Sequence, residues 1–230
     1  MLVLGTANRK KGLELAGLFR TVGVELRTLA DFAGVEPVVE DGATFAANAR
    51  LKAAGYARQL GRWVLADDSG LLVDALNGEP GVLSARYSES PGKGGLAPSR
   101  TEVAVEGQAP ARCLSPFSRD TTDESNNRLL LERLGDTPLE RRIARFVCHI
   151  AVSDPSGEIR AESEAACRGW ILFEPRGAGG FGYDPLFEIV EYHRSFAEFG
   201  LLVKSYLSHR ARAAHRLIPQ LTALVDSGEI

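Results

Sequence analysis

The opening of the chain, from Leu2 to Thr28, constrains the fold more than any other stretch. A short apolar run, Leu2 to Leu4, turns polar at Gly5-Thr6-Ala7-Asn8, and Leu15, Leu18, Phe19 and Val22 then recur at helical spacing. Gly23 ends that helix, and Val24, Leu26 and Thr28 alternate as a strand does. Strand, polar turn, helix and strand, in that order, build a sheet with helices on its faces. The expected class is therefore α/β.

The rest of the chain supplies the other elements. A second helix is expected over 44–60, with Phe45, Ala49, Tyr56 and Leu60 inward and with Asn48 and Lys52 four apart on one flank. Trp63 to Ala66 reads as a short buried strand that stops at Asp67-Asp68-Ser69-Gly70. Two carboxylates at that point are costly unless cations answer them. Helical pattern returns over 123–134. Residues 142–153 and 158–173 read as a long antiparallel pair joined at Asp154-Pro155-Ser156-Gly157. A last helix carries Ala214, Leu217, Leu221 and Leu224, and Pro219 is expected to kink or restart it. Residues 88–121, rich in proline and glycine without periodicity, are expected to form a mobile excursion within a single domain spanning 1–230.

Composition narrows the setting. A chain of 230 residues with a net charge of −3 has no global field to draw in a nucleic-acid polymer, so an anionic ligand needs a local basic cluster. Nothing in the sequence approaches a membrane span, and the apolar run at Leu2 is too short for a signal peptide. Cys113, Cys148 and Cys167 are an odd number without CxxC spacing. They read as reduced thiols of a cytoplasmic protein, two of them packed in strands.

Four segments carry candidate chemistry, and each by itself has a bland reading as well. Thr6-Ala7-Asn8-Arg9-Lys10-Lys11 lies between a strand and a helix, where backbone N–H groups and lysines attract phosphate, or where a basic helix start is simply solvated. Asp67-Asp68, with Glu40-Asp41 upstream, offers hard oxygen ligands of the kind magnesium takes, or surface acids in turns. Gly179-Gly180-Phe181-Gly182-Tyr183-Asp184-Pro185 sets glycines around two rings, which suits either base stacking or a tight core connection. Lys204 and Ser208-His209-Arg210 bring donors suited to phosphate or to a purine carbonyl edge, or form an exposed basic helix start.

Their combination in order is far more specific. TxNxxK, an acid before TFxxNAxxKA, ADDSGLxVDALxGxPGVxSARY, ARF, GGFGYDP and KxxxSHRxxA stand at Thr6–Lys11, Glu40, Thr44–Ala53, Ala66–Tyr87, Ala144–Phe146, Gly179–Pro185 and Lys204–Ala213. Nearly the whole chain outside about 88–121 thus resembles the inosine triphosphate pyrophosphatase family, which removes ITP, dITP and XTP from the nucleotide pool. The resemblance implies a long, mixed, twisted sheet flanked by helices, with two lobes around a nucleotide-binding cleft, and a homodimer. It implies Mg²⁺ held by Glu40 and Asp68, with Asp68 as proton acceptor for the attacking water. It further implies a phosphate turn at Thr6, Ala7, Asn8, Arg9, Lys10 and Lys11, in which Asn8 and Lys11 are the main side-chain contributors. Ser69 would touch the substrate with Asp67 and Lys52 nearby, Phe181, Gly182, Tyr183 and Asp184 would line the base pocket, and Lys204, His209 and Arg210 would complete the contacts.

One motif position departs from the family. Ala47 stands where relatives carry Glu, which removes half of a capping box begun by Thr44 and a carboxylate near the metal ligands. Two other functions stay open on the sequence: a nucleotide-binding protein without turnover, and a house-cleaning pyrophosphatase for modified pyrimidine nucleotides.

Overall fold

The computed structural model describes residues 1–89 and 122–230. The expected excursion therefore lies outside the described residues, apart from Ser88 and Glu89, which end a 3-10 segment at Gly81–Glu89. The elements are β1 (Leu2–Leu4), α1 (Arg9–Phe19), β2 (Leu26–Thr28), α2 (Phe45–Leu60), β3 (Trp63–Val73), α3 (Thr122–Leu134), β4 (Ile143–Ser153), β5 (Ile159–Ile171), β6 (Phe187–Ile189), β7 (Arg194–Ser195), α4 (Leu201–Leu207) and α5 (His209–Asp226).

The seven strands among the described residues join one sheet in the order β2-β1-β3-β4-β5-β6-β7. β1 runs parallel to β2 and β3, and the remaining pairs are antiparallel, so the sheet is mixed as expected. β1 leaves through α1 to reach β2 on one side, and the chain returns through α2 to β3 on the other. That reversal opens a crevice at the carboxyl end of β1, where ligands of open α/β sheets bind.

Alternation along the strands assigns each helix its face. Leu2, Leu4, Leu65, Cys148 and Ile150 face Leu15 and Phe19 of α1 and Leu217 and Leu221 of α5. On the opposite face Val3 and Val64 meet Tyr56 and Ala57, while Ala66 and Ala151 meet Ala49 and Ala53, small residues that let α2 lie close. A separate core at the far end of the long strands gathers Leu71, Val73, Phe146, Cys167 and Ile171 with Leu130 and Leu134 of α3, Phe187 and Phe196. Between these cores, β3 carries Asp67-Asp68-Ser69-Gly70.

Two expectations are corrected here. β3 does not stop at Asp67 but continues to Val73, pairing with β4 through Asp67↔Ile150, Asp68↔His149 and Ser69↔Cys148. The carboxylates are tolerated in mid-strand because cations reach them from both faces. Pro219 does not restart the last helix, which is assigned without interruption from His209 to Asp226. Pro219 and His215, whose carbonyl loses its helical donor, both lie on the exposed face of the helix, so that carbonyl is not forced to stay unpaired in a core.

Candidate active site

The turn after β1 is built by its own side chains. Asn8 N–H donates to Thr6 Oγ1 at 3.2 Å, and Asn8 Oδ1 accepts the N–H groups of Lys10 and Lys11 at 3.0 and 3.1 Å. The Asn8 oxygen thus caps α1, with Ala7, Arg9 and Lys10 exposed around it and Thr6 half-buried. Lys11 Nζ turns inward and stands 3.6 Å from Asp67 Oδ2.

Because side chains alternate along a strand, Asp67 and Asp68 point to opposite faces of β3. Asp67 shares the face of α1 and α5. Its Oδ2 accepts Arg210 Nε and Ser69 Oγ, each at 3.2 Å, and its buried Oδ1 has no partner. Burial alone would push this carboxyl up, but Lys11, Arg210 and Lys52 hold it well below the usual carboxylate range. Asp68 shares the face of α2, where Asn48 Nδ2 and Lys52 Nζ each reach it at 3.2 Å. Burial pushes Asp68 up, and Lys52, Lys11 and Asn48 offset this only in part. For Lys52 the balance falls the other way: burial opposes its charge, but Asp68, Asp67 and Glu40 overcome it and raise its affinity for the proton.

Glu40 completes this half of the site, its Oε2 lying 2.8 Å from Lys52 Nζ. Two carboxylates, Glu40 and Asp68, therefore converge on one point. No cluster of three His, Cys, Asp or Glu side chains suited to a metal occurs among the described residues. The donor set does not make an all-protein cage, but it fits a magnesium ion, which takes one or two carboxylates and fills its octahedron with water and phosphate oxygens.

Across the crevice, the glycine-dense loop brings Phe181 over the cations. Its ring centroid lies 4.4 Å from Lys204 Nζ, 5.7 Å from Lys10 Nζ and 5.9 Å from the Arg210 guanidinium carbon. Asp184 Oδ2 accepts Lys204 Nζ at 2.6 Å and the Phe181 N–H at 2.8 Å. Burial raises this carboxyl against the pull of Lys204. Lys204 and Arg210 sit on two helices that meet at Ser208, whose Oγ caps α5 by accepting the Ala211 N–H at 3.1 Å. His209, first in α5, is buried and stacks on Phe146 at 4.7 Å. Burial, reinforced by Arg210, Lys204 and Lys11, drives its pKa well down, so the ring is neutral, and its buried Nδ1 has no partner.

The structure thus brings together Lys11, Asp67, Ser69, Lys204, His209, Arg210 and Phe181 on one face, and Glu40, Lys52 and Asp68 on the other. Tyr183 lies apart. Its ring is packed in the α3 core and its hydroxyl donates to Ser84 O at 2.9 Å. One participant was not singled out from the sequence. Glu14 takes Arg210 Nη1 at 2.5 Å and Lys204 Nζ at 3.2 Å. As the one acid in RKKGLELAG, three residues beyond Lys11 on the same helical face, it had a usable signal. Asn48 binds both Asp68 and the Gly42 N–H, at 3.2 and 2.8 Å, and so ties the loop beyond Glu40 to the strand.

Known proteins carry the same pattern. A sequence model of the Ham1 family matches residues 2–220. The dITP/XTP pyrophosphatase of Rhodopirellula baltica is 46% identical over 226 residues, covering 98% of this chain and 95% of that protein. Its namesake in Geobacillus kaustophilus is 42% identical over 224 residues, covering 97% and 95%. Among solved structures, the Staphylococcus aureus Ham1 protein superposes with a TM-score of 0.72 at 31% identity, over 99% of this chain and 98% of that one. The nucleoside-triphosphatase / dITP/XTP pyrophosphatase of Mycobacterium abscessus does so with a TM-score of 0.67 at 38% identity, over 95% and 98%. With sequence and fold agreeing over almost its full length, the chain belongs to the Ham1 family.

Proposed function

We propose that the chain hydrolyses non-standard purine nucleoside triphosphates, ITP, dITP and XTP, to the nucleoside monophosphate and pyrophosphate. The observation that carries this reading is the divergence of Asp67 and Asp68. They leave β3 on opposite faces: Asp67 is locked against Arg210, while Asp68 converges with Glu40 on Lys52, beside the point where a would-be metal and a base for water are needed. Asp68 takes a proton from water, the water oxygen attacks the α-phosphorus, and the bond from that phosphorus to the α,β-bridging oxygen breaks. Pyrophosphate leaves with the bonding electron pair. Lys10 and Lys11 neutralise the departing phosphates. Glu40 and Asp68 would hold Mg²⁺, which supplies further charge neutralisation on the phosphate oxygens.

Base selection follows from the other face. Phe181 offers a stacking surface, and neutral His209 and the Arg210 guanidinium stand where donors would favour a 6-oxo purine over adenine. Arg210 is already engaged by Glu14 and Asp67, so its orientation is set before any ligand arrives. By resemblance the protein is a single-domain homodimer that takes a small nucleotide; its thiols suit a cytoplasmic setting, and its charge balance does not suit a nucleic-acid polymer. No helix among the described residues is long and apolar enough to cross a membrane.

Pyrophosphate release from ITP, XTP, dUTP, GTP and ATP with Mg²⁺ tests the reading. Turnover confined to ITP and XTP supports it. Preference for dUTP, or nucleotide binding with no release from any of the five, overturns it.

A further inference from the structure

The stacking surface at Phe181 is held from outside the site, by α3. Gly182, the next residue, has a φ of +62°, a left-handed conformation that glycine alone adopts without strain. Both peptide groups flanking its Cα are gripped by side chains of one helix face. The Gly182 N–H donates to Asp123 Oδ2 at 2.8 Å, and Asn127 Nδ2 donates to the Gly182 carbonyl at 3.0 Å. Asp123 and Asn127 are four apart in α3, the spacing that puts two side chains side by side. Since the Phe181 N–H is already held by Asp184, three consecutive backbone groups around the ring have fixed partners. With both neighbouring peptide planes set, the Cα–Cβ direction of Phe181 is set as well.

The helix that does this is itself well anchored. Leu130 and Leu134 are buried in the second core. Asn126 accepts the Ser88 N–H at 2.8 Å and donates to the carbonyls of Ser84 and Ala85, both at 3.3 Å. A glycine loop free to sample many conformations would leave the ring anywhere over the cations. An anchored acceptor and donor remove that freedom before the ligand binds, which is where pre-organisation adds affinity. The bond to Asp123 is charge-assisted and therefore the stronger of the two.

We propose that Asp123 and Asn127 are positioning residues for base recognition, fixing the Phe181–Gly182 backbone so that the ring meets the purine of the triphosphate; this rests on the reading of the site as a purine nucleotide site. Neither residue touches substrate. Stacking on the base is made alike in the bound substrate and in the transition state, so its loss raises KM and leaves kcat in place.

The test uses Asp123→Ala, Asn127→Ala and the near-isosteric Asp123→Asn, which keeps an acceptor oxygen. ITP kinetics, calorimetric binding of IMP, and inhibition by pyrophosphate are measured on each. The expected result is a rise of about ten-fold in KM for ITP, and in Kd for IMP, in both alanine variants. Pyrophosphate inhibition and kcat stay within about two-fold of wild type, and Asp123→Asn recovers most of the loss. Unchanged IMP binding in both alanine variants overturns the proposal, as does loss of pyrophosphate inhibition in step with IMP binding, which marks general loosening. Should Asp123→Ala not fold, Asn127→Ala and Asp123→Asn decide the matter by the same readouts. Wild-type turnover of ITP tests the proposed function separately, since IMP binding reports on the clamp whether or not turnover is seen.

Discussion

Lys52 Nζ stands 3.2 Å from Asp68 Oδ1, carried there by a helix on the far side of the sheet from Arg210 and Lys11. The ammonium offsets part of the cost of burying Asp68 but leaves its proton affinity raised, as a general base requires. Asp68→Asn keeps the shape and removes the base. Turnover of ITP should fall by about 10²–10⁴-fold, the range general-base catalysis supplies, while nucleotide affinity changes far less. Steady-state kinetics with equilibrium binding check this. Activity within ten-fold of wild type would remove Asp68 from the role of base.

Away from the site, Glu162 supports the fold in a pH-dependent way. Hydrogen bonds from Arg50, both at 2.7 Å, outweigh the cost of burial and, with His149, hold its carboxyl at about 2. A folded pKa below the ordinary 4.5 means the stabilisation is fully present above about pH 4.5 and is lost as pH falls towards 2. The side chain is 36% exposed, so solvent screening keeps the effect modest. Glu162→Gln should lower the urea midpoint at pH 7 and have a much smaller effect near pH 2. An equal loss at both pH values would show that the ion pair is not its source.

Much of the architecture was readable from local pattern, and the failures have a common cause. β1–α1–β2, α2 and the β4–β5 hairpin follow from period and turn chemistry, which act over a few residues. Asp67-Asp68 read as a strand end because two adjacent carboxylates do not belong inside a sheet unaided. What admits them is Arg210, 143 positions along the chain, and Lys11, Lys52 and Asn48, and such partners leave no trace in the local sequence. The same applies to Tyr183, whose place in the core depends on Ser84 far upstream. Motif order picked out the candidate residues, whereas their division between two faces of β3 emerged only with the fold.

Arg210 should be among the most costly residues to truncate. Its side chain is 2% exposed and answers Asp67, which is fully buried. Removing one partner of a buried pair strands the other charge, at about 3–5 kcal/mol. Lys11 Nζ remains 3.6 Å from Asp67, so Arg210→Met should fall near the lower end, about 3 kcal/mol. Adding Asp67→Asn should restore part of that loss, because the fully buried carboxylate is then no longer stranded. Urea unfolding of the two single variants and the double variant measures the coupling. Simple additivity would mean that Arg210 contributes through packing alone.

Ala47 gives the last prediction, because the structure contains only half of a capping box. Thr44 Oγ1 accepts the Ala47 N–H at 3.1 Å, while the return bond of a capping box, from a side chain at 47 to the Thr44 N–H, has no group to make it. Ala47 also lies beside Gly42, close to the loop that carries Glu40, so a longer acid there adds negative charge next to the carboxylates that would hold the metal. Ala47→Glu should therefore stabilise the fold by about 0.5–1 kcal/mol through the cap. It should also lower the Mg²⁺ concentration needed for half-maximal pyrophosphate release, through the added charge. Urea unfolding without metal isolates the first effect, and a Mg²⁺ titration of activity isolates the second. A variant that is stabilised but titrates like wild type would confine position 47 to the helix. One that titrates at lower Mg²⁺ without being stabilised would assign the position to the metal site.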